Sequence, residues 1–146
     1  MKGYYNNDMA TGETIDSDGW LHTGDIGYYD EDLDFYIVDR LKELIKVKGY
    51  QVAPSEIEDI LRKHPSIADV AVIGVPNEEL GEAPRAYIIP KKTMEAEDVH
   101  SYLKDKVAGF KQLKGGVEFV ESIPKAPSGK ILRRELMQSY RQTKGL

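Results

Sequence analysis

Cysteine is absent from the 146 residues, which excludes a disulfide framework, a cysteine-based metal site and a thiol nucleophile carried by the chain itself. Histidine is scarce, and His22, His64 and His100 share no spacing with carboxylates that would build a metal centre. No apolar run approaches the ~20 residues of a membrane-spanning helix, and the N-terminus carries no signal-type hydrophobic stretch. The expectation is therefore an intracellular protein. Cytoplasm is favoured over peroxisome, because the closing Lys144-Gly145-Leu146 shares only its leucine with a peroxisomal tripeptide. Excess positive charge is also lacking: the formal net charge is -5 and the isoelectric point close to 5.3. That balance argues against a nucleic-acid partner. Internal repeats and low-complexity tracts are missing as well.

What is present fits an ordinary globular chain. Hydrophobic residues make up 40% and charged ones 31%, with one Trp and nine Tyr, enough to fill one core and leave room for a second fragment. Charge is unevenly placed. Residues 1–40 hold ten acidic and two basic side chains, whereas residues 41–146 hold fifteen acidic and eighteen basic ones. The second stretch can attract a small phosphate-rich molecule.

Periodicity divides the chain near residues 40–42. Residues 1–22 are rich in Gly, Asn, Asp and Thr and are predicted as loop and turn. From Asp25, the runs Ile26–Tyr29 and Phe35–Val38 flank the acidic turn Asp30-Glu31-Asp32, a hairpin pattern. A lone hairpin buries too little apolar area to stand by itself, so residues 1–40 are expected to be the tail of a larger preceding domain. After the boundary, Leu44–Val47 and Tyr50–Val52 flank the link Lys48-Gly49, a tighter hairpin. Pro54 opens a helix with Ile57, Ile60 and Leu61 on one face. Asp69–Val75, Ala86–Ile89 and Val117–Val120 are predicted strands. Helices are predicted from a Thr93 cap to Gly109 and over Ile131–Tyr140. The fold class is α+β. Residues 41–146 should form a small three-stranded sheet, a hairpin and about three helices.

Four segments carry a more specific pattern: Gly19-Trp20-Leu21-His22-Thr23-Gly24-Asp25, Asp39-Arg40-Leu41-Lys42-Glu43-Leu44-Ile45-Lys46, Lys48-Gly49-Tyr50-Gln51, and Pro124-Lys125-Ala126-Pro127-Ser128-Gly129-Lys130. In order and spacing they resemble the closing third of the adenylate-forming enzymes, the superfamily of acyl-CoA synthetases, 4-coumarate–CoA ligases and beetle luciferases. The resemblance implies a mobile C-terminal lid over residues 41–146, and a missing N-terminal domain that holds most of the ATP and acid pocket. It implies ATP as substrate, with Mg²⁺ bound mainly by that missing domain, and coenzyme A as the thiol that the cysteine-free chain cannot provide.

Roles follow from the same resemblance, residue by residue. Lys130 matches the lysine brought in for adenylation, where a compact ammonium stabilises charge gathering on the α-phosphate. Asp25 matches the carboxylate that accepts hydrogen bonds from the ribose hydroxyls, a task suited to two acceptor oxygens. Arg40 matches a second ribose contact, and Lys42 the hinge. Lys46 and Gln51 match positions that reach the adenylate after rotation of the lid, and Lys48 and Gly49 line the CoA channel. By themselves, Lys48-Gly49 is a hairpin tip, Asp25 a turn cap and Lys130 a residue of a flexible loop. Lys111, Lys114, Arg133 and Arg134 suit CoA phosphates or a solvated face equally.

The leading expectation is an ATP-dependent ligase joining a carboxylic acid to CoA. A luciferase-type monooxygenase would look the same in this region. A non-catalytic interaction module remains a third alternative, since no Ser/Thr/Gly-rich phosphate loop is present in the chain.

Overall fold

Near-continuous runs of Val, Ile and Ala bounded by prolines call for strands covered on both faces, and the larger part of this protein is built that way. The computed structural model describes residues 1–145. The chain divides between Lys42 and Glu43 into two compact units.

The first unit contains helix α1 (Asp8–Thr14) and the antiparallel strands β1 (Asp25–Tyr29) and β2 (Phe35–Arg40). The helix falls in a segment predicted as loop. None of its residues is buried, so it leaves no apolar period in the sequence; Asn7 starts it by accepting a hydrogen bond from the Ala10 amide at 3.0 Å. The hairpin is closed by Asp30, whose carboxylate accepts from the Asp32 and Asp34 amides and from the Tyr36 hydroxyl at 2.8 Å. The Tyr36 bond, ahead of the Asp34 amide, holds the Asp30 carboxyl below its ordinary range. Tyr36 also stacks on its cross-strand partner Tyr28, with ring centroids 5.0 Å apart.

The second unit is α+β. Its elements are β3 (Ile45–Val47), β4 (Tyr50–Val52), α2 (Pro54–Arg62), β5 (Ile67–Asn77), β6 (Gly81–Pro90), α3 (Ala96–Leu103), β7 (Val117–Phe119) and α4 (Arg133–Lys144). Strand β5 pairs along one edge of β6 from Asn77↔Gly81 to Ile67↔Pro90, while β3 (antiparallel) and β7 (parallel) share the other edge. Residues alternate between two cores. Val70, Val72, Ala86 and Ile88 pack with Ile57 and Leu61 of α2 and with Val99 and Leu103 of α3. Ala71, Ile73, Val75 and Tyr87 pack on the opposite face with Ile131 and with Leu136 of α4. Each Val, Ile or Leu so buried contributes about 1.5–3 kcal/mol.

Several sequence expectations change here. The sheet has five strands rather than three, because the β3–β4 hairpin docks on β6. The junction needs only the pair Val47↔Gly81, helped by Lys46 N donating to Glu82 Oε2 at 2.7 Å and Lys48 N donating to Leu80 O at 2.8 Å. Helix α3 is capped by Glu95 and Asp98 instead of Thr93, and it stops at Leu103; Gly109 opens a separate 3₁₀ turn to Lys111. Helix α4 starts two residues late, since Ile131 is held in a bridge to Lys125.

Candidate functional site

Asp25 and Arg40 are register partners at the open end of the β1–β2 hairpin, and Arg40 Nε stands 3.6 Å from Asp25 Oδ1. The approach to Asp25 is shaped by Gly24, whose φ of +74° is left-handed backbone, and by Thr23, whose hydroxyl accepts from the Asp25 amide at 3.2 Å. The Gly24 carbonyl in turn accepts from the Leu41 amide at 2.8 Å. Two sequence-predicted residues thus meet on one small element. Upstream, Asp16 Oδ2 lies 2.9 Å from His22 Nε2 and its other oxygen takes the Asp18 and Trp20 amides. The His22 bond first, then the Trp20 amide, keeps the Asp16 carboxyl below its usual range.

Lys42 is the middle, exposed residue of a 3₁₀ turn, Leu41–Glu43. Beyond it, the β3–β4 hairpin gathers four more candidates. Lys46 and Gln51 face each other in register, both exposed, so they share one side of the ribbon. Lys48 and Gly49 form the tip with φ of +48° and +85°, the pair of left-handed residues that a two-residue type I′ turn demands. A Cβ added at Gly49 would meet nothing within 4 Å. The open tip therefore leaves room for a molecule to pass close to the backbone.

Lys130 stands on another element, without a hydrogen bond or ion pair to that hairpin among the described residues. Its surroundings are more ordered than a flexible loop. Lys125 bridges Ile131, the Ala126 amide donates to Lys130 O and the Gly129 amide to Ala126 O at 2.8 Å each, and the Leu132 amide donates to Pro124 O at 2.9 Å. Gly129 takes φ of +83° and Ile131 is buried. The stem is further tied by Lys125 Nζ to Asp69 Oδ2. Lys130 itself is exposed and makes no ion pair among the described residues. Lys46 and Lys48 share that property, whereas Lys111 is neutralised by both oxygens of Glu56.

One cluster escaped the sequence reading. Arg133, grouped there with solvated or phosphate-facing cations, is mostly buried and donates Nη1 to Glu43 Oε2 (2.6 Å), Nη2 to Glu58 Oε1 (2.8 Å) and Nε to Val72 O (3.2 Å). Glu58, 2% exposed, also accepts from the Val72 amide at 2.8 Å. The available signal was the place of Glu58 on the same helical face as Ile57 and Leu61, where a carboxylate requires a buried partner. Arg85 is likewise internal. It bonds Gly115 O and Glu118 and lies between the rings of Tyr87 and Tyr140. Burial opposes its charge, but the bond to Glu118, with the Tyr87 hydroxyl close by, outweighs it and raises its pKa above the ordinary arginine range.

This chain is similar to several known proteins. The luciferin 4-monooxygenase of Luciola mingrelica is 55% identical over 133 residues, covering 90% of this chain and 24% of that protein. The 4-coumarate–CoA ligase 1 of Arabidopsis thaliana is 56% identical over 138 residues, covering 93% of this chain and 24% of the ligase. ATP-bound MatB from Rhodopseudomonas palustris superposes with a TM-score of 0.89 at 32% identity, over 96% of this chain and 28% of MatB. The chain thus spans about a quarter of the length of the curated relatives it matches. Residues 56–130, from the first turn of α2 to Lys130, match the AMP-binding enzyme C-terminal domain, and the chain belongs to that family, the C-terminal domain of adenylate-forming enzymes.

Proposed function

We propose that residues 41–146 are the lid of an ATP-dependent ligase that joins a carboxylic acid to coenzyme A, and that residues 1–40 are the tail of the large nucleotide-binding domain. The observation that carries this reading is the separation of cations that make no ion pair among the described residues: Lys130 on a closed turn before α4, and Lys46 and Lys48 with Gly49 and Gln51 on the β3–β4 hairpin. In the first half-reaction the acid's carboxylate oxygen attacks the α-phosphorus of ATP and pyrophosphate leaves. The Lys130 ammonium stabilises the charge shared by the attacking and phosphate oxygens. In the second, the sulfur of CoA attacks the acyl carbon and AMP leaves. Lys46 and Gln51 then hold the adenylate, and the Lys48-Gly49 tip lines the path of the thiol. One pocket serves both steps because a swivel at Lys42 exchanges the two elements.

The residues present fit these substrates. Asp25 offers an exposed carboxylate beside Arg40 for the ribose, and among the described residues Lys130, Lys46 and Lys48 have no ion pair to break on reaching a phosphate. The first unit supports a larger neighbour as well, since Tyr5, Trp20 and Phe35 are 94%, 74% and 79% exposed. Aromatic side chains left this exposed suit a neighbour that packs on them. On this reading the full-length protein exchanges labelled pyrophosphate into ATP only when an acid substrate is present, and the isolated chain does not. Exchange by the isolated chain would overturn the division of labour. Oxygen uptake by the full-length protein in place of thioester formation would move the second step to monooxygenase chemistry.

A further inference from the structure

One guanidinium, carried by α4, ties Glu43, α2 and β5 together within the second unit. Arg133 lies in the first turn of α4, three residues past Lys130. Its nitrogens reach Glu43 at the end of the 3₁₀ turn, Glu58 inside α2 and the Val72 carbonyl in β5, all within 3.2 Å. Glu58 is fixed in its own right by the Val72 amide at 2.8 Å and by Arg62 at 3.3 Å. A buried carboxylate already held by two donors makes a rigid base for the fork of an arginine. Glu43 is the outlying member. It follows Lys42 directly, and the chain divides into its two units between these residues.

We propose that Arg133 is a positioning residue that defines the pivot of the lid. Because Glu43 is bonded to the same guanidinium as the core carboxylate Glu58, it is the first residue that moves with the lid. On the lid side the swivel therefore ends at Lys42, whose preceding residue Leu41 keeps its amide bonded to the Gly24 carbonyl at 2.8 Å. The same side chain sets the Lys130 turn at a constant place relative to that pivot, so rotation delivers Lys130 to a reproducible position. This inference rests on the ligase reading for its catalytic consequence, although the anchoring itself does not.

Two measurements on the full-length protein separate those parts. Glu43→Gln removes one charged arm and leaves the Arg133–Glu58 pair in place, so its melting midpoint should stay within about 4 °C of wild type. Deuterium exchange at residues 42–45 should rise about tenfold, with α2 and the β5–β6 pair unchanged. Single-turnover rates of both half-reactions should fall about 10- to 100-fold at unchanged KM for ATP, since misplacement of a presenting element costs rate rather than nucleotide affinity. Arg133→Lys, which keeps the charge and loses the fork, should loosen the same residues. Unchanged exchange at 42–45 in both variants overturns the anchor. Loosened exchange with unchanged rates overturns the positioning role. Loosened exchange in a protein whose wild-type form makes no acyl adenylate supports the anchor and counts against the ligase reading instead.

Discussion

Lys130→Ala in the full-length protein is expected to slow formation of the acyl adenylate by about 10²- to 10³-fold, the range lost when one preorganised stabiliser of transition-state charge is removed. The substitution should leave the fold intact. The turn is closed by main-chain hydrogen bonds from Ala126, Gly129 and Leu132 and by burial of Ile131, none of which uses the lysine side chain. An exposed side chain of this kind changes stability by about 0.5 kcal/mol or less. Conversion of supplied acyl adenylate to thioester should proceed within a few-fold of wild type, because the β3–β4 hairpin is untouched. Acetylation of Lys130, which removes the same charge, should give the same pattern. The rate of pyrophosphate exchange checks the first step, and thioester formation from synthetic adenylate the second.

Gly49→Val is expected to produce the opposite pattern, with thioester formation slowed by about 100-fold or more and adenylation nearly unchanged. Two effects act together. A β-branched residue at φ of +85° is strained by about 1–3 kcal/mol, which distorts the tip that presents Lys48. The added methyl groups also occupy space that is open around Gly49. Gly49→Asn separates the two, since asparagine tolerates the left-handed region while still filling the gap. If blocked approach of CoA dominates, the asparagine variant loses the second step too, and its KM for CoA rises.

Much of this arrangement could be read from local chemistry. Alternating apolar residues on either side of Lys48-Gly49 define the hairpin without tertiary help, and Pro54 marks the start of α2 because its missing N–H is harmless in a first turn. Other features depend on distant partners. The docking of β3 on β6 rests on one register pair and the bonds to Glu82 and Leu80, which no window of neighbouring residues contains. Arg133 looks like a surface cation until α2 brings Glu58 beneath it, and the order of the Lys130 turn comes from Lys125 meeting Ile131 and Asp69. Resemblance named the candidate residues. The geometry adds which of them share an element: Asp25 with Arg40, and Lys46 with Gln51 beside the tip.

The most direct test of two catalytic elements taking turns in one pocket is the ratio of the two single-turnover rates, adenylation over thioester formation, in full-length Lys130→Ala and Lys46→Ala. The ratio should fall about 100-fold in the first variant and rise by a similar factor in the second. A ratio unchanged in both, with the two steps slowed together, would contradict the exchange of elements and leave a single fixed site in its place.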